Sequence, residues 1–179
     1  MVLTAASMFG MAQLTAGSST LTMSLWFMGL GLGLAPVMVG ATEVIVGNAP
    51  LELSGVAGGL QQAAMQVGGS LGTAVLGAVM ASRVDGVFTA NWARAGLPAL
   101  APEQRELAQG GVQVGIAPVP PGTPEAVAEV ITKVAHDTFV SGMGLAFTVA
   151  GVVATVAVAV AGFTKSGRNA AVAAGGAHL

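Results

Sequence analysis

The sequence predicts an all-α protein that crosses a membrane several times, with about four spans, and two observations carry that prediction. Hydrophobic residues make up 54% of the 179-residue chain and charged residues only 8%, whereas an ordinary soluble domain carries roughly 25% charged residues. The charges are also clustered. Ten of the fourteen acidic and basic residues lie between Arg83 and Asp137, and the blocks 1–42, 53–82 and 138–164 contain none. About 20 apolar residues suffice to cross the hydrocarbon core, so each block is long enough.

The first block is too long for one helix. The run AGSST at 16–20 divides it into a short span over about 1–16, read as lacking its beginning, and a second span over about 21–47. Asn48-Ala49-Pro50 then breaks the chain, because proline has no N–H and disfavours helix in the residue before it. A third span covers about 53–82 and a fourth about 138–163. The intervening polar segment 83–137 is expected to be a loop with short helices. Within it, APEQRELAQGG at 101–111 reads as an amphipathic helix stopped by glycine, and GIAPVPPGTP at 115–124 as irregular chain. Thr123-Pro124 reads as an N-cap and first helical residue, from which one helix runs through His136 into the fourth span. The whole chain forms a single membrane domain.

Composition also excludes function classes. A net charge of −2 without any basic run argues against a nucleic-acid partner. The chain has no cysteine, and its two histidines, His136 and His178, fall in no metal-ligand pattern. No nucleophile, base and orienting group converge in any span. Neither enzyme activity, a cofactor nor a metal is expected. No basic region opens the chain as in a cleaved leader.

Residues 55–77, GVAGGLQQAAMQVGGSLGTAVLG, hold seven glycines and three glutamines without a charge. In a soluble helix each glycine would cost about 1 kcal/mol against alanine. In lipid, which is as apolar as leucine, helices associate through close approach and hydrogen bonds, and glycine serves that. At about 100° per residue, Gly55, Gly59, Gln62, Gln66, Gly69, Thr73 and Gly77 share one line. Gly58, Gln61, Met65, Gly68 and Gly72 form a second. The opposite side carries Val56, Leu60, Val67 and Leu71 and is expected to face lipid. The second span repeats the design: Gly29, Gly33, Gly40 and Glu43 lie on one face, with Gly29 and Gly33 as a GxxxG pair and Pro36 as an expected kink.

Each feature has a plain reading beside the functional one. The glycine stripes are helix-packing surfaces. Gln62, Gln66 and Thr73 are interhelical hydrogen-bonding groups or substrate-pathway groups. Glu43 is a functional intramembrane acid or, being near a span end, a headgroup contact. Trp26 reads as an interfacial anchor, and His136-Asp137 as a candidate proton site beside its plain reading as solvated surface.

The stretch GVAGGLQQAAMQVGGSLGTAVLGAVMASRV at 55–84 resembles the penultimate helix of major facilitator superfamily transporters, specifically the fourteen-helix drug:proton antiporter group of the EmrB/QacA type. GLGLGLAPVMVGATEVIVGNAP at 29–50 looks like the helix before it, and FVSGMGLAF at 139–147 like the start of the last helix. The resemblance implies an exporter of small hydrophobic or cationic compounds, driven by proton exchange across the bacterial plasma membrane. It also implies an extracytoplasmic 83–137 segment and a cytoplasmic tail. Basic residues alone give no firm orientation: Arg83, Arg94, Arg105 and Lys133 in the loop oppose Lys165 and Arg168 in the tail.

Four spans stand where that group has about fourteen, and alternating access needs two halves rocking about a central site. The chain therefore reads as a C-terminal piece, inactive alone, whose partners are the lipid bilayer and the missing N-terminal half or other membrane helices. The alternatives are a non-transporting helix-packing subunit and a small oligomeric four-helix exporter.

Overall fold

The computed structural model describes residues 1–163, so the tail carrying Lys165, Arg168 and His178 lies outside the described residues. Five α-helices form it: α1 (Val2–Ala12), α2 (Thr20–Gly47), α3 (Ser54–Arg94), α4 (Pro102–Gln113) and α5 (Glu125–Phe163). Among the described residues there is no strand. The protein is an all-α membrane protein. α2, α5 and the stretch Leu51–Arg94 that contains α3 are long and apolar enough to cross a bilayer. α1, in the expected first span, has 11 residues and at about 1.5 Å per residue reaches roughly half the ~30 Å hydrocarbon thickness.

Local chemistry explains the breaks. Between α1 and α2 the Thr15 amide donates to Ser18 Oγ at 2.9 Å, and Ser19 caps α2 by accepting from the Thr22 amide at 3.2 Å. These hydroxyls supply the partners a helix start lacks. α2 runs unbroken through Pro36, whose missing N–H leaves the Leu32 carbonyl without its usual partner. At the other end Asn48 Nδ2 donates to the Val44 carbonyl at 2.7 Å. A 3₁₀ turn, Leu51–Leu53, then leads into α3.

α3 continues twelve residues past the expected end of its span, and α5 begins well before residue 138. Both helices therefore project from the membrane region, and α4 folds against them. Val84, Phe88 and Trp92 of α3 meet Ala108 and Val112 of α4 and Ile131, Val134 and Ala135 of α5 in one buried cluster. The segment read as a loop is thus a packed helical cap. Its signal in the sequence is the i, i+4, i+8 spacing of Val84, Phe88 and Trp92, which places one apolar stripe on a helix.

Two boundaries differ from the sequence reading. α4 passes through Gly110 and Gly111 to Gln113, because Val112 is wholly buried and holds the last turn against the cap. The chain turns instead at Gly115, whose φ is +80°. α5 starts at Glu125, one residue after the expected position. Thr123 Oγ1 donates back to the Pro120 carbonyl at 2.7 Å, closing a turn with Gly122 at φ +79°, and so does not cap the helix.

In the membrane region α1 packs against both α2 and α5, and α3 packs along α5. Glycines allow the close approach. A Cβ on Gly144 of α5 would lie 2.9 Å from the Ala12 carbonyl oxygen, one on Gly151 would press on the Phe9 ring, and one on Gly142 would meet Val84 and Met80. Trp26, expected at a membrane interface, has its ring over Gly10 of α1.

Candidate functional site

The two glycine lines of α3 have different surroundings. On the second line, Gly58, Gln61 and Gly72 are half-buried. Gln61 Nε2 donates to Thr42 Oγ1 of α2 at 2.7 Å, while that hydroxyl donates to the Met38 carbonyl at 3.0 Å. This relay ties α2 to α3 through a side-chain amide. Gly68 and Gly72 also border a cavity of about 500 Å³ between α3, α1, α2 and α5. The other lining groups, Leu34, Val75 and Val153 among them, are almost wholly apolar.

The first line is bare. Gly55, Gly59, Gln62, Gln66, Gly69, Thr73 and Gly77 are all exposed, and a Cβ on any of these glycines would find nothing within 4 Å. Thr73 Oγ1 donates back to the Gly69 carbonyl at 2.9 Å, as helical threonines commonly do. Gln62 and Gln66, one turn apart, present their amides outward. Val56, Leu60, Val67 and Leu71, on the opposite side, are equally exposed. Within this chain, then, α3 uses neither of those surfaces.

On α2 the glycine face divides. Gly29 and Gly33 lie against α1: a Cβ on Gly33 would come 2.7 Å from the Thr4 amide nitrogen, and one on Gly29 would come 2.6 Å from Ser7 Oγ. Gly40 has nothing within 4 Å, and Pro36 and Glu43 are exposed. The structure therefore does not bring Glu43 together with Gln62 and Gln66 in a closed site. The buried Thr4 and Ser7 hydroxyls have no hydrogen-bond partner; they sit over the two glycines.

A second cavity, of about 580 Å³, lies where α1, α3 and α5 leave the membrane region, with Arg83, Asp137 and Ser141 in its wall. Arg83 Nε donates to Ser141 Oγ at 3.0 Å. Asp137 and its neighbour His136 are both exposed, and of the two it is Asp137 that lines this cavity. Asn91 Nδ2 donates to the buried Thr138 Oγ1 at 3.1 Å, a further α3–α5 link. Sequence reasoning placed Gln61 on the second glycine line without giving it a partner, and passed over Thr42, Asn91 and Thr138. Their one signal was a polar side chain within a helical stretch. Among the described residues no three His, Asp or Glu side chains gather as a metal site would require.

Neither a protein-family model nor a solved structure matches the chain. It is similar, however, to proteins named for drug resistance and export. The Tetracenomycin C resistance and export protein of Streptomyces glaucescens is 61% identical over 166 residues, which is 92% of this chain and 31% of the relative. The Quinolone resistance protein NorB of Staphylococcus aureus strain bovine RF122 / ET3-1 is 40% identical over 80 residues, or 41% of this chain and 17% of that protein. The NorB of strain JH9 is 40% identical over 77 residues. The chain thus spans about a third of the length of the first of these relatives and is similar over nearly all of its own length to a protein named for drug resistance and export.

Proposed function

We propose that the chain is the C-terminal membrane segment of a drug efflux transporter of the major facilitator type, in the fourteen-helix drug:proton antiporter group, and that it does not transport alone. The observation that carries this reading is the 61% identity over 166 residues to an export protein about three times as long. The bare face of α3 supports it. A helix with five polar or glycine positions on one exposed line, Gly59, Gln62, Gln66, Gly69 and Thr73, is built to meet other protein or a polar cavity rather than lipid. In the complete transporter those groups face the N-terminal half or the substrate path. The substrate is a small hydrophobic or cationic compound, exchanged for protons across the plasma membrane, with the helical cap outside.

The test is efflux in vesicles containing the chain joined to the upstream spans. The joined protein should export drug under a proton gradient, and the 179-residue chain should not. Gln66→Leu should leave expression intact and change drug export, while Glu43→Gln should matter less. Normal export by Gln66→Leu together with lost export by Glu43→Gln would transfer the functional role to Glu43. Orientation is read separately with single cysteines in this cysteine-free chain. An impermeant thiol reagent on intact cells should label Leu107→Cys in the cap and spare Glu52→Cys at the opposite end; the reverse pattern would invert the topology.

A further inference from the structure

We infer that the extramembrane cap contains a binding site of its own, for a neutral, largely apolar compound carrying a carbonyl group. A pocket of about 540 Å³ opens between the C-terminal end of α3, α4, the start of α5 and the segments 97–100 and 118–123. That volume lies in the range of about 300–1,000 Å³ typical of small-molecule sites. No charged residue lines it, so it offers no counter-charge to a cation or an anion.

The wall is preorganised and its polar groups are largely spent. Trp92 is nearly buried, and its Nε1 donates to the Pro98 carbonyl at 2.8 Å, which presents the indole as apolar surface. Thr123 Oγ1 donates its proton to the Pro120 carbonyl at 2.7 Å and so is spent as a donor. Three prolines in the lining, Pro98, Pro118 and Pro120, fix their own φ angles and limit the ordering cost of binding. Gln104 differs. Its Oε1 accepts from the Ala101 amide at 3.3 Å, which leaves the side-chain NH₂ as a donor at the wall. An aliphatic and proline-lined pocket with the Trp92 indole in its wall and one amide donor suits a neutral, apolar compound that offers a carbonyl acceptor.

The site lies away from the lipid. Trp92 is ten residues beyond the expected end of the third span, roughly 15 Å along a helix. With the span ending where the sequence places it, the ligand arrives from water. Binding there requires no transport, so this inference stands apart from the efflux reading, and either can fail without the other.

The experiment uses the full 179-residue chain in lipid nanodiscs with Trp26→Phe, which leaves Trp92 as the one tryptophan. The probe is menadione, a neutral two-ring quinone that quenches indole fluorescence. Saturable quenching of Trp92 is expected. Leu107→Glu and Val127→Glu place a charge at exposed wall positions, where folding is not at stake, and should each weaken binding about tenfold. Gln104→Met loses the donor without adding a charge, at an exposed position, and should weaken menadione binding several-fold. Equal affinity in Gln104→Met would remove the carbonyl assignment. Non-saturating quenching, unchanged in the two charged variants, would mean that the probe only partitions into lipid and that the pocket is not a site.

Discussion

Gly33→Ala should loosen the contact between α1 and α2 far more than the same change at Gly29 or Gly69. At Gly33 the new Cβ would lie 2.7 Å from the Thr4 amide nitrogen and 3.1 Å from its Cα. These are backbone atoms and no rotamer change removes them. Ordinary contact needs 3.4 Å or more, so the two helices must separate by something on the order of 0.5–1 Å. A gap of about that size forfeits roughly a quarter to a half of the dispersion energy of the atoms it parts. Overpacking of this kind costs about 1–3 kcal/mol, and each ~1.4 kcal/mol is a tenfold change in an equilibrium.

At Gly29 the near atom is Ser7 Oγ, and the next, Ser7 Cβ, stands at 3.8 Å. A hydroxyl can turn to another rotamer, so the cost should be below that at Gly33, at most about 0.5–1.5 kcal/mol. At Gly69 nothing lies within 4 Å, and alanine should be neutral or mildly stabilising. Reversible unfolding of the three variants in mixed micelles reads the order directly. A Gly33→Ala variant as stable as Gly69→Ala would mean that α1 does not seat on the GxxxG pair, and the close-packing account of α1 would fall.

Gln61→Leu removes the amide bonded to Thr42 and should weaken the α2–α3 pairing by about 0.6–2 kcal/mol; Gln62→Leu should leave this chain's stability unchanged, and the same unfolding measurement separates them. In the cap, Gly115→Ala forces a side chain into a left-handed backbone and should cost about 1–2 kcal/mol, while Gly110→Ala, in open helix, should gain up to about 1 kcal/mol. Resistance of the cap to protease should fall in the first and rise in the second. Trp92→Phe removes the donor to the Pro98 carbonyl, which is exposed, and should cost about 0.5–1.5 kcal/mol, seen as faster cleavage within 95–101. In the joined transporter, Gly69→Leu should lower the yield of assembled protein more than Ala74→Leu; equal losses would show that the first glycine line meets no neighbouring helix.

The all-α class, the long apolar helices and the breaks at AGSST and Asn48-Ala49-Pro50 follow from the sequence by itself. Hydropathy and charge report which segments cannot stay in water, and hydroxyls and prolines report where a helix cannot continue. The continuous helix from the Thr123-Pro124 region into the last span was legible for the same reason. What the tertiary structure decided is which face of each helix meets which neighbour. α3 carries two glycine lines about 100° apart, each with glutamine, and they are nearly equivalent in composition. Only packing makes Gln61 the residue bonded to Thr42 and leaves Gln62 and Gln66 bare. Likewise the cap arose from Val84, Phe88 and Trp92 finding α4 and α5, contacts separated by tens of residues in sequence. The reason is physical. Water distinguishes apolar from polar and so writes span lengths into composition, whereas lipid and the interior of a helix bundle are equally apolar and leave no compositional mark to tell one face from another.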